Sequence, residues 1–248
     1  MQTTLHDLDR KRIVGIMSNL SHRILSIREQ ISEASDKSNR EPRDITLMAA
    51  SKTVNPDTIL EAIDLGITTF GENQIQEAEW KFSQRPELAS RATWHFIGSL
   101  QSNKAKRALS LFTTVQSVDR LSIANRLNTI ANDLDIRLSV YIEVNVGGEA
   151  NKSGCSPTQL PMLASSISQF ANLEIIGLMT VAPAAQNQED VRPIFRNLRI
   201  LRDQIQDTTL PSNQLGLSMG MSSDYKVAIE EGSTLVRIGT SLWGPRKD

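Results

Sequence analysis

The chain has 248 residues, 27 lysines and arginines against 28 aspartates and glutamates, and a formal net charge of −1. That balance argues against a general nucleic-acid or anionic-membrane binder, whose surface carries a basic surplus, and the length supports a sizeable core without covalent staples. A single cysteine, Cys155, has no internal disulfide partner and reads as a small filler residue of a reducing compartment.

The N-terminal MQTTLHDLDRKR lacks the apolar segment of a signal peptide, and no apolar run reaches the ~20 residues that cross a bilayer. A cytosolic protein is expected. Ile13, Ile16, Met17, Leu20, Ile24, Ile27 and Ile31 recur at spacings of three and four, so they form one face of a long amphipathic helix over about 10–34. A polar run over 35–40 and Pro42 close it.

The rhythm then changes. A strand over 45–50 precedes Asn55-Pro56, a cap followed by proline at the first helical position, and Gly66 stops that helix. The next strands are predicted over 68–70, 94–96, 112–115, 137–144, 173–179, 214–217 and 235–238. The intervening helices are predicted over 72–82, 102–109, 120–131, 157–170, 190–206 and 223–231. APAAQNQED, over 182–190, reads as a loop after strand six. Eight strand–helix alternations point to a parallel (β/α)8 TIM barrel, with a doubly wound open sheet as the competing architecture. No repeat or linker divides the chain, so one domain is expected over 1–248, its barrel over about 43–246.

Such barrels place chemistry at the carboxyl ends of their strands. Lys52 stands after strand one, Asn73 after strand two, His95 at strand three with Gly98-Ser99 beyond, and Asn145 after strand five. Ser218-Met219-Gly220-Met221-Ser222 follows the predicted strand seven, and Gly239-Thr240 follows strand eight. Loops after strands seven and eight, with a helix N-terminus near Ser223, commonly cradle phosphate. Glycine lets backbone N–H groups approach the anion, and Ser218, Ser222 and Thr240 offer hydroxyls, although the same residues also dominate ordinary turns. Arg237 interrupts strand eight on the face of Leu235 and Gly239. If that face points inward it needs an acceptor, either a ligand or a buried partner such as Glu143.

A strand-end lysine, a phosphate cradle and an inward arginine together fit pyridoxal 5′-phosphate. A lysine buried beside Arg237 would be available as the free amine that forms a Schiff base with an aldehyde. The arginine would donate to the pyridine nitrogen and leave it without a proton, restraining carbanion chemistry. The competing readings are a snorkelling surface lysine and a different phosphate ester. Lys104, Lys106 and Arg107 could attract a second anion but fit a solvated helix face, as does Lys152. No metal-ligand cluster stands out.

The stretches LMAASKT, FGENQIQEAEWK, WHFIGSLQSNK, VNVGGEANKSG, IIGLMTVAP, LSMGMSSDYKVAIEEGST and VRIGTSLWGPR occur in one order over about 43–246. In them the chain closely resembles the pyridoxal phosphate homeostasis protein family. The resemblance implies a monomeric barrel like the N-terminal domain of alanine racemase, with pyridoxal phosphate on Lys52 and Arg237 facing the ring nitrogen. It places Ser218, Ser222, Gly239 and Thr240 around the phosphate and Asn73 near the ring, with His95 and Met221 also among the cofactor-binding residues. It also implies buffering or delivery of the cofactor to apoenzymes, without a dedicated catalytic reaction. Departures are Gly98-Ser99, where the second residue is often Pro or Lys, and Ser223-Asp224, where two acids are common. The alternative is a racemase-like enzyme, which needs a second acid/base opposite the lysine. Only Tyr141 and Tyr225 exist, and both read as packing residues.

Overall fold

Eight parallel strands close on themselves in chain order: β1 (Thr46–Ala50), β2 (Thr69–Glu72), β3 (Thr93–Phe96), β4 (Thr114–Val118), β5 (Leu138–Glu143), β6 (Leu173–Met179), β7 (Gly216–Met221) and β8 (Leu235–Ile238). This is a computed structural model, and it describes residues 18–149, 152–210 and 214–245. Closure is made by β8 pairing with β1, from Thr46 opposite Leu235 to Ala49 opposite Ile238. That pairing excludes the open sheet.

Alternation along the strands sorts the side chains into two sets. Ala49, Phe70, Val115, Ile142, Leu178, Val236 and Ile238 face outward and join the helices in one apolar core. Met48, Tyr141, Met179 and Leu235 are equally buried but lie in the opposite register, inside the barrel. Three register shifts break the pattern, one of them where Val140 and Tyr141 of β5 pair with β6. Pairing shifts by one residue between Val115 and Val118 of β4, and again between Ser218 and Met221 of β7. Such insertions re-aim side chains beside active sites.

The outer layer begins with α1 (Asn19–Lys37), capped by the Ser18 hydroxyl accepting from the Ser21 N–H at 3.2 Å. Its stripe of Leu20, Ile24, Ile27, Ile31 and Ala34 is buried, each large member contributing roughly 1.5–3 kcal/mol. The helix runs one turn beyond the predicted end, through the polar residues 35–37, because Ser35 is buried and the chain turns only at Asn39, whose φ is +53°. Ile13, Ile16 and Met17 lie outside the described residues. Then come α2 (Pro56–Asp64), α3 (Ile75–Gln84), α4 (Leu88–Arg91), α5 (Ala105–Leu109), α6 (Leu121–Asp133), α7 (Leu160–Ser168), α8 (Arg192–Thr208), α9 (Tyr225–Glu230) and α10 (Thr240–Trp243). The short α4 and α10 are unpredicted, being single turns with no periodicity to read. Helix α1 packs on α9 and α10, covering the barrel flank below strands seven and eight.

Three strands differ from expectation. Strand two continues through Glu72, strand four spans 114–118 rather than 112–115, and strand seven runs to Met221 instead of ending at Leu217. In each, a glycine or polar residue reads locally as a turn while the barrel wall keeps it paired. The predicted helix over 102–109 opens with a 3-10 turn at Ser102–Lys104 before α5.

Candidate functional site

The carboxyl rim gathers three groups, each built by a different strand end. At β1, the Ser51 N–H donates to the Gly71 carbonyl of β2 at 3.0 Å, so strand pairing extends to the residue before Lys52. Lys52 itself is exposed, not buried as its expected role beside Arg237 required. Among the described residues its amine has no hydrogen bond or ion pair. Thr53 follows with φ of +64°, a left-handed conformation that costs a β-branched residue about 1–3 kcal/mol. Asn55 then starts α2, accepting from the Asp57 N–H at 2.8 Å. Behind the loop, Lys81 of α3 is fully buried and donates to the Ser51 carbonyl at 2.6 Å and to Glu72 Oε1 at 2.6 Å, and it pairs with Glu77 at 2.7 Å. Burial raises the Glu72 carboxyl above its ordinary range, with Lys81 opposing.

The second group is Arg237, buried at 5% exposure inside the barrel. Its Nη1 donates to the Ser218 hydroxyl at 2.6 Å and carbonyl at 2.8 Å, and its Nη2 donates to the Thr180 carbonyl at 2.7 Å. These neutral acceptors, rather than a salt bridge to Glu143, hold the guanidinium. Burial pushes it down to about 10, with Glu143, Asp224 and Tyr141 opposing. The chain of bonds continues across the barrel. Ser218 Oγ, already accepting from the arginine, donates to Gln116 Oε1 at 2.7 Å, and Gln116 Nε2 lies 2.9 Å from His95 Nδ1. Arginine only donates, so direction propagates along the chain. His95 Nδ1 must accept, leaving the proton on Nε2. Burial pushes the imidazole down to about 4, so it is neutral at ordinary pH.

The third group lies after β7 and β8. The Gly239 and Ser241 N–H groups both donate to Ser222 Oγ at 3.2 Å. They therefore converge on one point, flanked by Thr240 at the start of α10. Gly220 turns the chain into this loop with φ of +93°, and a Cβ there would sit 2.6 Å from the Ala228 Cβ. Asp224 accepts from the Met221 N–H at 2.6 Å and so closes the turn, which explains an acid at that position. The indole Nε1–H of Trp243 donates to the Ala50 carbonyl at 2.8 Å, tying α10 to the end of β1 just before Lys52.

Ser218 is the clear correction: it lies within β7, fully buried, and braces Arg237 instead of standing in the phosphate loop. Met221 is the last residue of β7, and Ser222, Gly239 and Thr240 follow the ends of β7 and β8. Asn73 is half-buried after β2, its backbone packed so tightly on Gly98 that a Cβ at 98 would lie 2.1 Å from the Asn73 carbonyl oxygen. Asn145 binds the backbone of Glu149 at both its amide atoms and shapes its own loop. Arg107 is paired with Glu79, and Lys152 with Glu149 at 2.6 Å. Tyr141 fills the barrel interior against Gly177, and burial pushes its hydroxyl up to about 12. Tyr225 is buried and donates to Gln30 of α1 at 2.9 Å. Sequence reasoning missed Gln116, Thr180, Ser241 and Lys81. Only Gln116 left a signal, as a lone amide in the otherwise strand-like TTVQSV.

The alanine racemase N-terminal domain family matches residues 23–247. The pyridoxal phosphate homeostasis protein of Aquifex aeolicus is 42% identical over 232 residues, 92% of this chain and 99% of its own. That of Escherichia coli is 39% identical over 233 residues, 93% and 98% of the two chains. The chain belongs to the pyridoxal phosphate homeostasis protein family. Among solved structures, PipY of Synechococcus elongatus with PLP bound matches at a TM-score of 0.80 and 33% identity, covering 91% of this chain and 100% of that one. Without PLP it matches at 0.82 and 35%, over the same shares. An alanine racemase of Clostridium difficile, 14% identical at a TM-score of 0.69, covers 93% of this chain and 57% of its own and shares the fold.

Proposed function

We propose that this chain holds pyridoxal 5′-phosphate on Lys52 and serves cofactor homeostasis in the cytosol, buffering the aldehyde and releasing it to apoenzymes. The observation that carries the reading is Arg237, a permanent cation locked by Ser218 and Thr180 inside a closed barrel. The residues present fit the group. Among the described residues the Lys52 amine has no hydrogen bond or ion pair, and the Gly239 and Ser241 N–H groups, which now converge on Ser222 Oγ, would turn to a phosphate oxygen seated beside it. Ser222 and Thr240 add hydroxyls beside them. Met221 and Asn73 lie at the same rim, and His95 lies on β3 in the bonded chain from Arg237, its Nε2–H a donor of fixed tautomer. Ser218 acts on the cofactor only through Arg237.

When bound, the cofactor supplies a reactive aldehyde and an aromatic ring able to withdraw electrons. Arg237 remains a donor at ordinary pH, so it would offer N–H to the ring nitrogen and leave that nitrogen without a proton, which would restrain electron withdrawal. Lys52 would supply the primary amine that holds the aldehyde. The restraint favours holding over turnover. Neither tyrosine is placed as a free acid/base, since Tyr225 is engaged by Gln30 and Tyr141 is enclosed beside Gly177. The family names, homeostasis protein, support the same reading. A monomer suits a barrel whose site draws on one chain's loops.

The test is borohydride reduction of the protein incubated with pyridoxal 5′-phosphate, followed by peptide mass spectrometry. One adduct on Lys52, lost in Lys52→Ala, is expected. An unmodified Lys52 overturns the reading and leaves a site for some other phosphate ester.

A further inference from the structure

The geometry points to the Lys81–Glu72–Glu77 cluster as the positioning device for Lys52, a role that rests on the cofactor reading above. Lys81 has 0% exposure, yet nothing about helix α3 requires a charge there. Its three contacts explain it. The ammonium donates to the Ser51 carbonyl and to Glu72 Oε1, both at 2.6 Å, and reaches Glu77 Oε1 at 2.7 Å. Glu77 Oε1 in turn accepts the Thr53 N–H, and Glu72 Oε1 accepts the Ser51 hydroxyl at 2.6 Å.

The Ser51 carbonyl belongs to the peptide before Lys52, and the Thr53 N–H to the peptide after it. One buried ion cluster therefore grips both peptide planes that orient the Lys52 Cα–Cβ bond. It does so across a residue whose φ of +64° is unfavourable for threonine, so the loop would relax if released. Burying an ammonium is costly unless every proton finds an acceptor, and all three do here. A helix salt bridge for stability alone has no need to reach the carbonyl next to an exposed lysine. The amine itself stays free of all these partners, so the cluster fixes the stem and leaves the head available.

Condensation needs the Lys52 nitrogen aligned on the aldehyde carbon, forming the C–N bond as water leaves, whereas phosphate and ring contacts do not. The two can be separated. Pyridoxine 5′-phosphate carries an alcohol in place of the aldehyde and reports the non-covalent site alone. In Glu77→Gln, the growth of the visible Schiff-base absorbance should slow about tenfold, while pyridoxine 5′-phosphate affinity stays within about twofold. Exchange of the Thr53 amide with deuterium should accelerate in the same variant. Adding Thr53→Gly should recover most of the rate, since glycine adopts positive φ without strain. Lys81→Met should act in the same direction as Glu77→Gln, and Glu77→Gln decides the matter if Lys81→Met fails to fold.

An unchanged rate and unchanged Thr53 exchange in Glu77→Gln overturn the inference. So does a parallel loss of pyridoxine 5′-phosphate binding, which marks general collapse of the rim, or a double variant no faster than Glu77→Gln. A wild-type protein that forms no adduct overturns the cofactor reading instead, and Thr53 exchange in Glu77→Gln then still decides whether the cluster grips the loop.

Discussion

Arg237 sets the direction of hydrogen bonds well beyond its own contacts. Because it only donates, Ser218, Gln116 and His95 are each left with one permitted direction of hydrogen bonding. Glu143 sits at the end of β5 near this chain, and burial pushes its carboxyl up to about 7, with Asp119 adding to the rise and Arg237 opposing it. The native state therefore keeps a proton that the unfolded chain gives up between the ordinary 4.5 and about 7. Stability is lost as pH rises through that window, by about 3 kcal/mol in all. His95 works in the opposite sense. Its native pKa lies near 4 against an ordinary 6.5, so stability is lost as pH falls through that range. The two slopes oppose each other between pH 4.5 and 6.5 in the wild type. Replacing Glu143→Gln should unmask the histidine, and urea denaturation should show the variant gaining ~3 kcal/mol on the wild type between pH 4.5 and 7. A constant difference would mean that Glu143 titrates as an exposed acid. At this scale Lys52 and Arg237 were legible, since a cation at a strand end or within a strand is conspicuous. Gln116 and Thr180 were not: an amide or hydroxyl in a strand announces a partner without saying which.

Loops and bulges turn the strands into a site. The bulge in β7 carries Gly220 at positive φ and separates Ser218, which faces inward to Arg237, from Ser222, which faces the cradle. The five residues over 218–222, with serine at both ends and glycine between, looked like one loop in the sequence, so their division between barrel interior and rim was hidden. The bulge in β4 likewise carries Gln116. After β2 and β3 the loops touch directly, and Gly98 is the contact. Gly98→Ala should cost about 1–3 kcal/mol in chemical denaturation, because the new methyl meets backbone at Asn73, 2.1 Å away, rather than a side chain that can swing aside. Gly147→Ala, whose methyl first meets the Glu149 side chain at 3.4 Å, should remain within about 0.5 kcal/mol of the wild type. Equal costs would contradict the packing account. The glycine in GlySer was visible beforehand, but the carbonyl that requires it came from a loop 25 residues earlier.

The whole barrel was easier to read than its parts. Eight short strands, several individually ambiguous, become persuasive together because they alternate with helices in the order a parallel barrel needs. Closure then does what no single element does. It places the end of β1 beside β8, where the Trp243 indole meets Ala50, and so brings Lys52 to the loop of Gly239 and Ser241 from the far end of the sequence. Helix α1 supports that junction from outside through its packing on α9 and α10. Burial of Lys81 could not be anticipated, since its acceptors come from β1, β2 and α3 together. A crystal structure of the protein grown with pyridoxal 5′-phosphate tests the account most directly. It should show density continuous from Lys52 Nζ, the ring nitrogen within hydrogen-bonding distance of Arg237, and the phosphate on the Gly239 and Ser241 N–H groups. Cofactor attached to another lysine, or a phosphate seated away from those two amides, would contradict it.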